Sequence, residues 1–157
     1  MKYYSTRDKG RLAPHTLKDA AFMGLAPDGG LFVPERIPAV DMAAVESAAA
    51  ESYADMACYL AGLFFGEDVP QAELEAMVRR AYNFDCPLVK VAEGKYTLEL
   101  FHGPTFAFKD FGARFMGGML GLLNQSADDL VVLTATSGDT GSAVAAGFYN
   151  VPGIKVV

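Results

Sequence analysis

The spacing of apolar residues changes along this chain, and each pattern predicts a different element. Phe108, Phe111, Phe115, Met119 and Leu122 recur at steps of three and four, which predicts a helix from about Phe108 to Leu123. Leu130 to Leu133 is a continuous apolar run of strand length, suited to a buried parallel strand. Ser142 to Tyr149 reads as a second helix, and Ile154 to Val157 as the start of another strand. Upstream, Leu88 to Val91 and Tyr96 to Phe101 are rich in β-branched and aromatic residues and read as strands. Strand alternating with helix predicts an α/β unit with a parallel sheet. So few strands leave an edge open and faces uncovered, so the sequence is expected to be truncated relative to the fold it begins.

The first part of the chain has a different texture. YYST at the start reads as a short strand, and Thr16-Leu-Lys-Asp19 as a capping box opening a two-turn helix that Gly24 ends. Asp28-Gly29-Gly30 is a turn signal, with a strand expected over Leu31 to Val33 that Pro34 bars from a sheet centre. From Asp41 to Tyr82 the composition shifts to Ala, Glu, Met and Leu, which favour helix. Ser52 can cap a helix over Tyr53 to Phe64, and Pro70 suits the first position of one over Gln71 to Tyr82. The expected organisation is a small, mainly helical domain over residues 1–82 followed by an incomplete α/β domain over 83–157.

Composition narrows the function classes. The 157 residues are 52% apolar and 20% charged, with a net charge of −6. That balance suits a globular protein and, with no basic cluster, argues against binding nucleic acid or a membrane surface. Cys58 and Cys86 form no CxxC pair, which fits a reducing cytosol. His15 and His102 lie far apart, neither at zinc spacing from a cysteine, so no metal site is expected. The opening MKYYSTRDKGR lacks a secretory apolar core, and the longest apolar stretch, Ala57 to Phe65, falls short of the roughly 20 residues that span a bilayer. A cytoplasmic protein is expected.

Two stretches could carry chemistry. In His102-Gly-Pro-Thr-Phe-Ala-Phe-Lys109-Asp110-Phe111, Lys109 opens a helix among Phe106, Phe108 and Phe111. Burial among rings and the positive end of a helix both disfavour the ammonium, leaving an amine able to condense with a carbonyl. Asp110 offsets this only if the side chains meet, and adjacent helical residues point apart. A lone lysine in such a place is more often an exposed one whose stem lies over phenylalanine. The second stretch, Thr134-Ala-Thr-Ser137-Gly138-Asp139-Thr140-Gly141-Ser142, follows a strand and opens a helix. Its glycines, helix-start amides and hydroxyls suit an anion. It reads equally as a well-capped turn with no ligand, and it matches neither the dinucleotide fingerprint nor the Walker loop. Met116-Gly-Gly-Met119 sits inside a helical pattern and reads as a close-packing site.

Together with YYSTRDKG and GLAPDGGLFVPERIP, the stretches LFHGPTFAFKDFGARF and TATSGDTGSA resemble the threonine synthase family in order and spacing. These are pyridoxal-phosphate enzymes of fold-type II. The GLAPDGGLFVPE element separates that family from threonine dehydratase and cysteine synthase. The resemblance implies that Lys109 carries pyridoxal 5′-phosphate on its amine and moves the catalytic protons. It places Asp139 near the cofactor ring, where relatives often have Asn, and gives Ser137, Gly138, Thr140 and Gly141 as donors to the substrate's carboxylate. The implied reaction converts O-phosphohomoserine and water to L-threonine and phosphate, the last step of threonine biosynthesis. The loop for the cofactor's phosphate and the partner of its ring nitrogen lie, in that family, beyond the stretch matched here. The 157 residues alone are therefore expected to bind the cofactor weakly or not at all. Another fold-type II lyase acting on threonine or serine, or a non-catalytic binder of phosphorylated ligands, is the alternative. For the substrate's phosphate, Arg114 and Arg7 are candidates on charge alone.

Overall fold

The structure, a computed structural model, describes residues 1–124, 126 and 129–157. The amino-terminal motifs form one interlocked corner. Strand β1 (Tyr3–Ser5) pairs antiparallel with β2 (Phe32–Pro34) in a two-stranded sheet, so Pro34 sits at an edge as expected. Between them, α1 (Leu17–Met23) starts at a complete Thr16–Asp19 capping box and ends at Gly24, whose φ of 68° a side chain would resist. Asp28 Oδ1 accepts from Ser5 Oγ at 2.7 Å and from Gly30 N at 2.9 Å, which ties the PDGG turn to β1. A β-carbon on Gly30 would lie 2.0 Å from Ser5 Oγ, so the two motifs require each other.

Three helices follow: α2 (Met42–Glu51), α3 (Tyr53–Phe65) and α4 (Gln71–Ala81). Ser52, in extended backbone, ends α2 and caps α3, accepting from Asp55 N at 3.0 Å. Pro70 stands just outside α4, at its cap rather than its first turn. The first core gathers Tyr3, Leu17, Cys58, Leu74, Met77 and Val78, and it also takes Met119 from further along the chain.

Next come β3 (Leu88–Ala92) and β4 (Lys95–Leu98), which pair with each other antiparallel. The expected alternation of strand and helix holds along the chain, but the first two strands stay out of the parallel sheet. The tight turn at Gly94, φ 66°, closes a local hairpin, and neither strand joins the parallel pair further on. That pair consists of β5 (Leu130–Val132) and β6 (Ile154–Val156), linked through α6 (Asp139–Phe148). Val131 at the centre of β5 is 52% exposed, so the parallel strand is covered on one face only. The fold is mixed α/β with a small parallel sheet.

The longest helix, α5 (Lys109–Leu123), holds the two halves together because it is buried on two sides. Phe115, Met119 and Leu122 face the first core. Ala113 and Leu120 face a second core with Ala143, Val144 and Phe148 of α6. The glycine run packs closely, as its sequence suggested. A β-carbon on Gly117 would meet Gly147 O at 2.7 Å, and one on Gly118 would meet Met77 Cγ at 2.5 Å.

Candidate functional site

The Lys109 stretch and the SGDTG stretch meet where α5 and α6 begin. A cleft of about 500 Å³ lies between them, lined by Phe108, Lys109, Phe111, Met116, Thr140 and Val144 among others. Residues 109, 112, 113 and 116 share one face of α5, which is why a single helix lines the cleft along its first two turns. The volume falls within the roughly 300–1,000 Å³ typical of small-molecule sites.

Lys109 is the first residue of α5 and is half-buried. Its Nζ lies 4.3 Å from the centroid of the Phe108 ring, a cation–π contact. Among the described residues no carboxylate pairs with it, whereas Lys90 and Lys155 are paired with Glu93 and Asp129. The aromatic enclosure is looser than the sequence implied. Phe106 is 79% exposed and points away on a backbone with φ 57°, and Phe108 is 60% exposed, so only Phe108 and Phe111 border the cleft. Asp110 turns away from Lys109, as adjacent helical positions must. It is fully buried and accepts from Thr105 N at 2.9 Å and Thr105 Oγ1 at 2.8 Å.

The second stretch enters α6 earlier than expected, with Asp139 rather than Ser142 as its first residue. Gly138 precedes it with φ 149°, a conformation that only glycine adopts without strain. Ser137, Gly138, Asp139 and Thr140 are exposed, and Gly141 is half-buried. Of these, Thr140 lines the cleft with Lys109. The amides of Gly138 and Gly141 both donate to Thr136 Oγ1, at 3.0 and 3.1 Å. Thr136 thus holds the loop in a turn that a ligand's anionic group would have to open or extend. Its role is legible only in three dimensions, because a threonine before a helix start is commonplace.

The two arginines proposed on charge alone are engaged in structural bonds. Arg114 caps the end of α4, donating from Nε to Ala81 O at 2.7 Å and from its terminal amino group to Arg80 O at 2.6 Å and Asn83 Oδ1 at 2.8 Å. Its position, five residues after Lys109, puts it on the far side of α5 from the cleft. Arg7 donates to Asp28 O at 2.7 Å and braces the PDGG turn. His102 pairs with Glu99 at 2.7 Å and stacks on Phe101.

Known proteins resemble this chain along its whole length. The family described as "Threonine synthase N terminus" matches residues 2–82. The threonine synthase of Escherichia coli is 40% identical over 159 aligned positions, covering all of this chain and 36% of that protein. That of Haemophilus influenzae is 44% identical, covering 90% of this chain and 33% of that protein. Among solved structures, a PLP-bound threonine synthase from Brucella melitensis superposes with a TM-score of 0.90 at 36% identity, covering 99% of this chain and 34% of that one. The Escherichia coli threonine synthase structure gives a TM-score of 0.87 at 38% identity, covering 99% of this chain and 36% of that one. The chain therefore spans about a third of the length of the relatives it matches. With more than half of its residues in the family match, the chain belongs to the threonine synthase N-terminus family.

Proposed function

We propose that this chain supplies the lysine-bearing part of a pyridoxal-phosphate-dependent lyase, a threonine synthase that converts O-phosphohomoserine and water to L-threonine and phosphate in the cytoplasm. The observation that carries the reading is the shared cleft, where Lys109 and Thr140, 31 positions apart in the chain, face one apolar space.

The residues fit the cofactor. An amine that no carboxylate pairs with among the described residues, at the mouth of an apolar cleft, can condense with an aldehyde, and Phe108, Phe111 and Met116 offer apolar walls. Pyridoxal phosphate bound there supplies the electron sink that makes the substrate's α-proton removable. Lys109 Nζ would hold the cofactor and move that proton, Thr140 and Ser137 would offer hydroxyls to the substrate's carboxylate, and Asp139 on the same loop would be the residue nearest the cofactor's ring. Water exclusion within this chain is partial because Phe106 and Phe108 are exposed. The isolated chain is accordingly a weak binder and a poor catalyst, with the rest of the site supplied by residues that the longer relatives carry.

The test is reductive trapping. The protein is treated with pyridoxal phosphate and borohydride, and the pyridoxyl group is mapped among its seven lysines. Lys109 is expected to carry most of the label, and Lys109→Ala to lose that share without gain elsewhere. Even labelling across all lysines overturns the assignment.

A further inference from the structure

The turn that delivers Lys109 is built around a carboxylate that solvent does not reach. Asp110 is 0% exposed, and its two oxygens accept from the amide and the hydroxyl of Thr105. Gly103 packs against it so closely that a β-carbon there would lie 2.4 Å from Oδ2 and 2.7 Å from the Asp110 Cβ. Between these anchors the chain is forced through a left-handed conformation at Phe106, φ 57°, which a bulky residue adopts only under constraint. Phe106 N donates to Gly103 O at 3.1 Å and Asp110 N to Ala107 O at 3.0 Å, completing the turn.

A buried carboxylate is costly unless donors and positive charge surround it. The first turn of α5 provides the positive end of a helix. One turn on, burial weakens the hold of the Arg114 guanidinium on its proton and the Asp110 charge opposes that shift, while Arg114 itself is anchored to the end of α4. Packing alone would be served as well by an apolar side chain. What the carboxylate adds is two directed bonds that hold residues 103–108 in one shape relative to α5.

We propose that Asp110 is a positioning residue for the lysine: it sets the turn 103–108 and so the place from which Lys109 enters the cleft. The inference rests on Lys109 carrying the cofactor, while Asp110 itself faces the interior and touches no reactant.

The test compares the unaltered chain with Asp110→Ala and Asp110→Asn. Two quantities are read: amide exchange at Thr105 to Phe108, and the share of trapped pyridoxyl label at Lys109. The asparagine amide can still accept from Thr105 N and donate to Thr105 Oγ1, with the hydroxyl reversing its role. Asp110→Ala is expected to speed exchange at Thr105 by at least about tenfold, the factor for losing a hydrogen bond to a charged group. It should also lower the Lys109 share to that of exposed lysines such as Lys9, and Asp110→Asn should restore both. Unchanged exchange and an unchanged Lys109 share in Asp110→Ala overturn the proposal, as does an asparagine variant no better than alanine. Should Asp110→Ala not fold, Thr105→Val removes the hydroxyl bond alone and leaves the core intact. A lower Lys109 share at an unchanged urea midpoint then supports the proposal, and an unchanged share sinks it. If the unaltered chain shows no preference for Lys109, the cofactor reading fails, and amide exchange still decides whether Asp110 holds the turn.

Discussion

Gly147→Ala tests whether the crossing of α5 and α6 is set by the absence of a side chain. An alanine β-carbon at 147 would lie 2.8 Å from Ala113 C, 2.9 Å from Ala113 O and 2.9 Å from Arg114 N. Ordinary contact begins at 3.4 Å, so the shortfall is about 0.6 Å against backbone atoms that cannot swing aside. The helices must separate, which loosens Ala113, Leu120, Ala143, Val144 and Phe148 and widens the cleft below. Overpacking of this kind costs about 1–3 kcal/mol, and alanine's better helix propensity returns at most about 1 kcal/mol. A net loss of about 1–2 kcal/mol is expected. Gly112→Ala, on the facing helix α5, is the control. No atom lies within 4 Å of its β-carbon, so only the propensity gain of up to about 1 kcal/mol remains. Urea unfolding followed by far-ultraviolet circular dichroism should show Gly147→Ala shifted to a lower midpoint and Gly112→Ala to a higher one, with unchanged slopes. A Gly147→Ala midpoint at or above that of the unaltered protein refutes the reasoning.

Two further outcomes follow from buried phenols. Tyr3 is 8% exposed, and its hydroxyl is the sole buried side-chain polar atom without a partner among the described residues. Tyr3→Phe should therefore stabilise the protein by about 1 kcal/mol in the same urea assay, and a loss of stability would contradict the orphaned hydroxyl. Burial pushes the Tyr3 and Tyr82 phenols up to about 12, helped at Tyr3 by the charges of Asp68 and Glu67 and at Tyr82 by Tyr53. Unfolded tyrosine titrates near 10, so the folded state holds these protons longer. Their contribution to stability is complete below about pH 10 and is lost as pH rises through about 12. Phenolate absorbance should show a late-titrating class among the seven tyrosines, with unfolding in the same window. A single titration of all seven near 10 in the folded protein would refute that assignment.

What the sequence determined by itself was what depends on neighbours along the chain. The Thr16–Asp19 capping box, the Ser52 cap, the stop at Gly24 and the apolar stripe of α5 are local, because caps and periodicity involve residues within about one turn of each other. The four motifs also disclosed the family, since their order and spacing survive without any knowledge of contacts. Tertiary structure alone decided how those motifs serve one another. Whether a strand before a helix joins the parallel sheet depends on what else can bond its edge, and the turn at Gly94 gave β3 a nearer partner in β4. That Phe106 turns outward, that Thr136 takes the Gly138 and Gly141 amides, and that Arg114 serves α4 all follow from contacts that periodicity does not reveal. Helical periodicity reveals which face of α5 is greasy. It is the close approach of Gly147 to Ala113 that makes the small-residue face a second buried one, and that approach brings Lys109 and Thr140 to the same cleft.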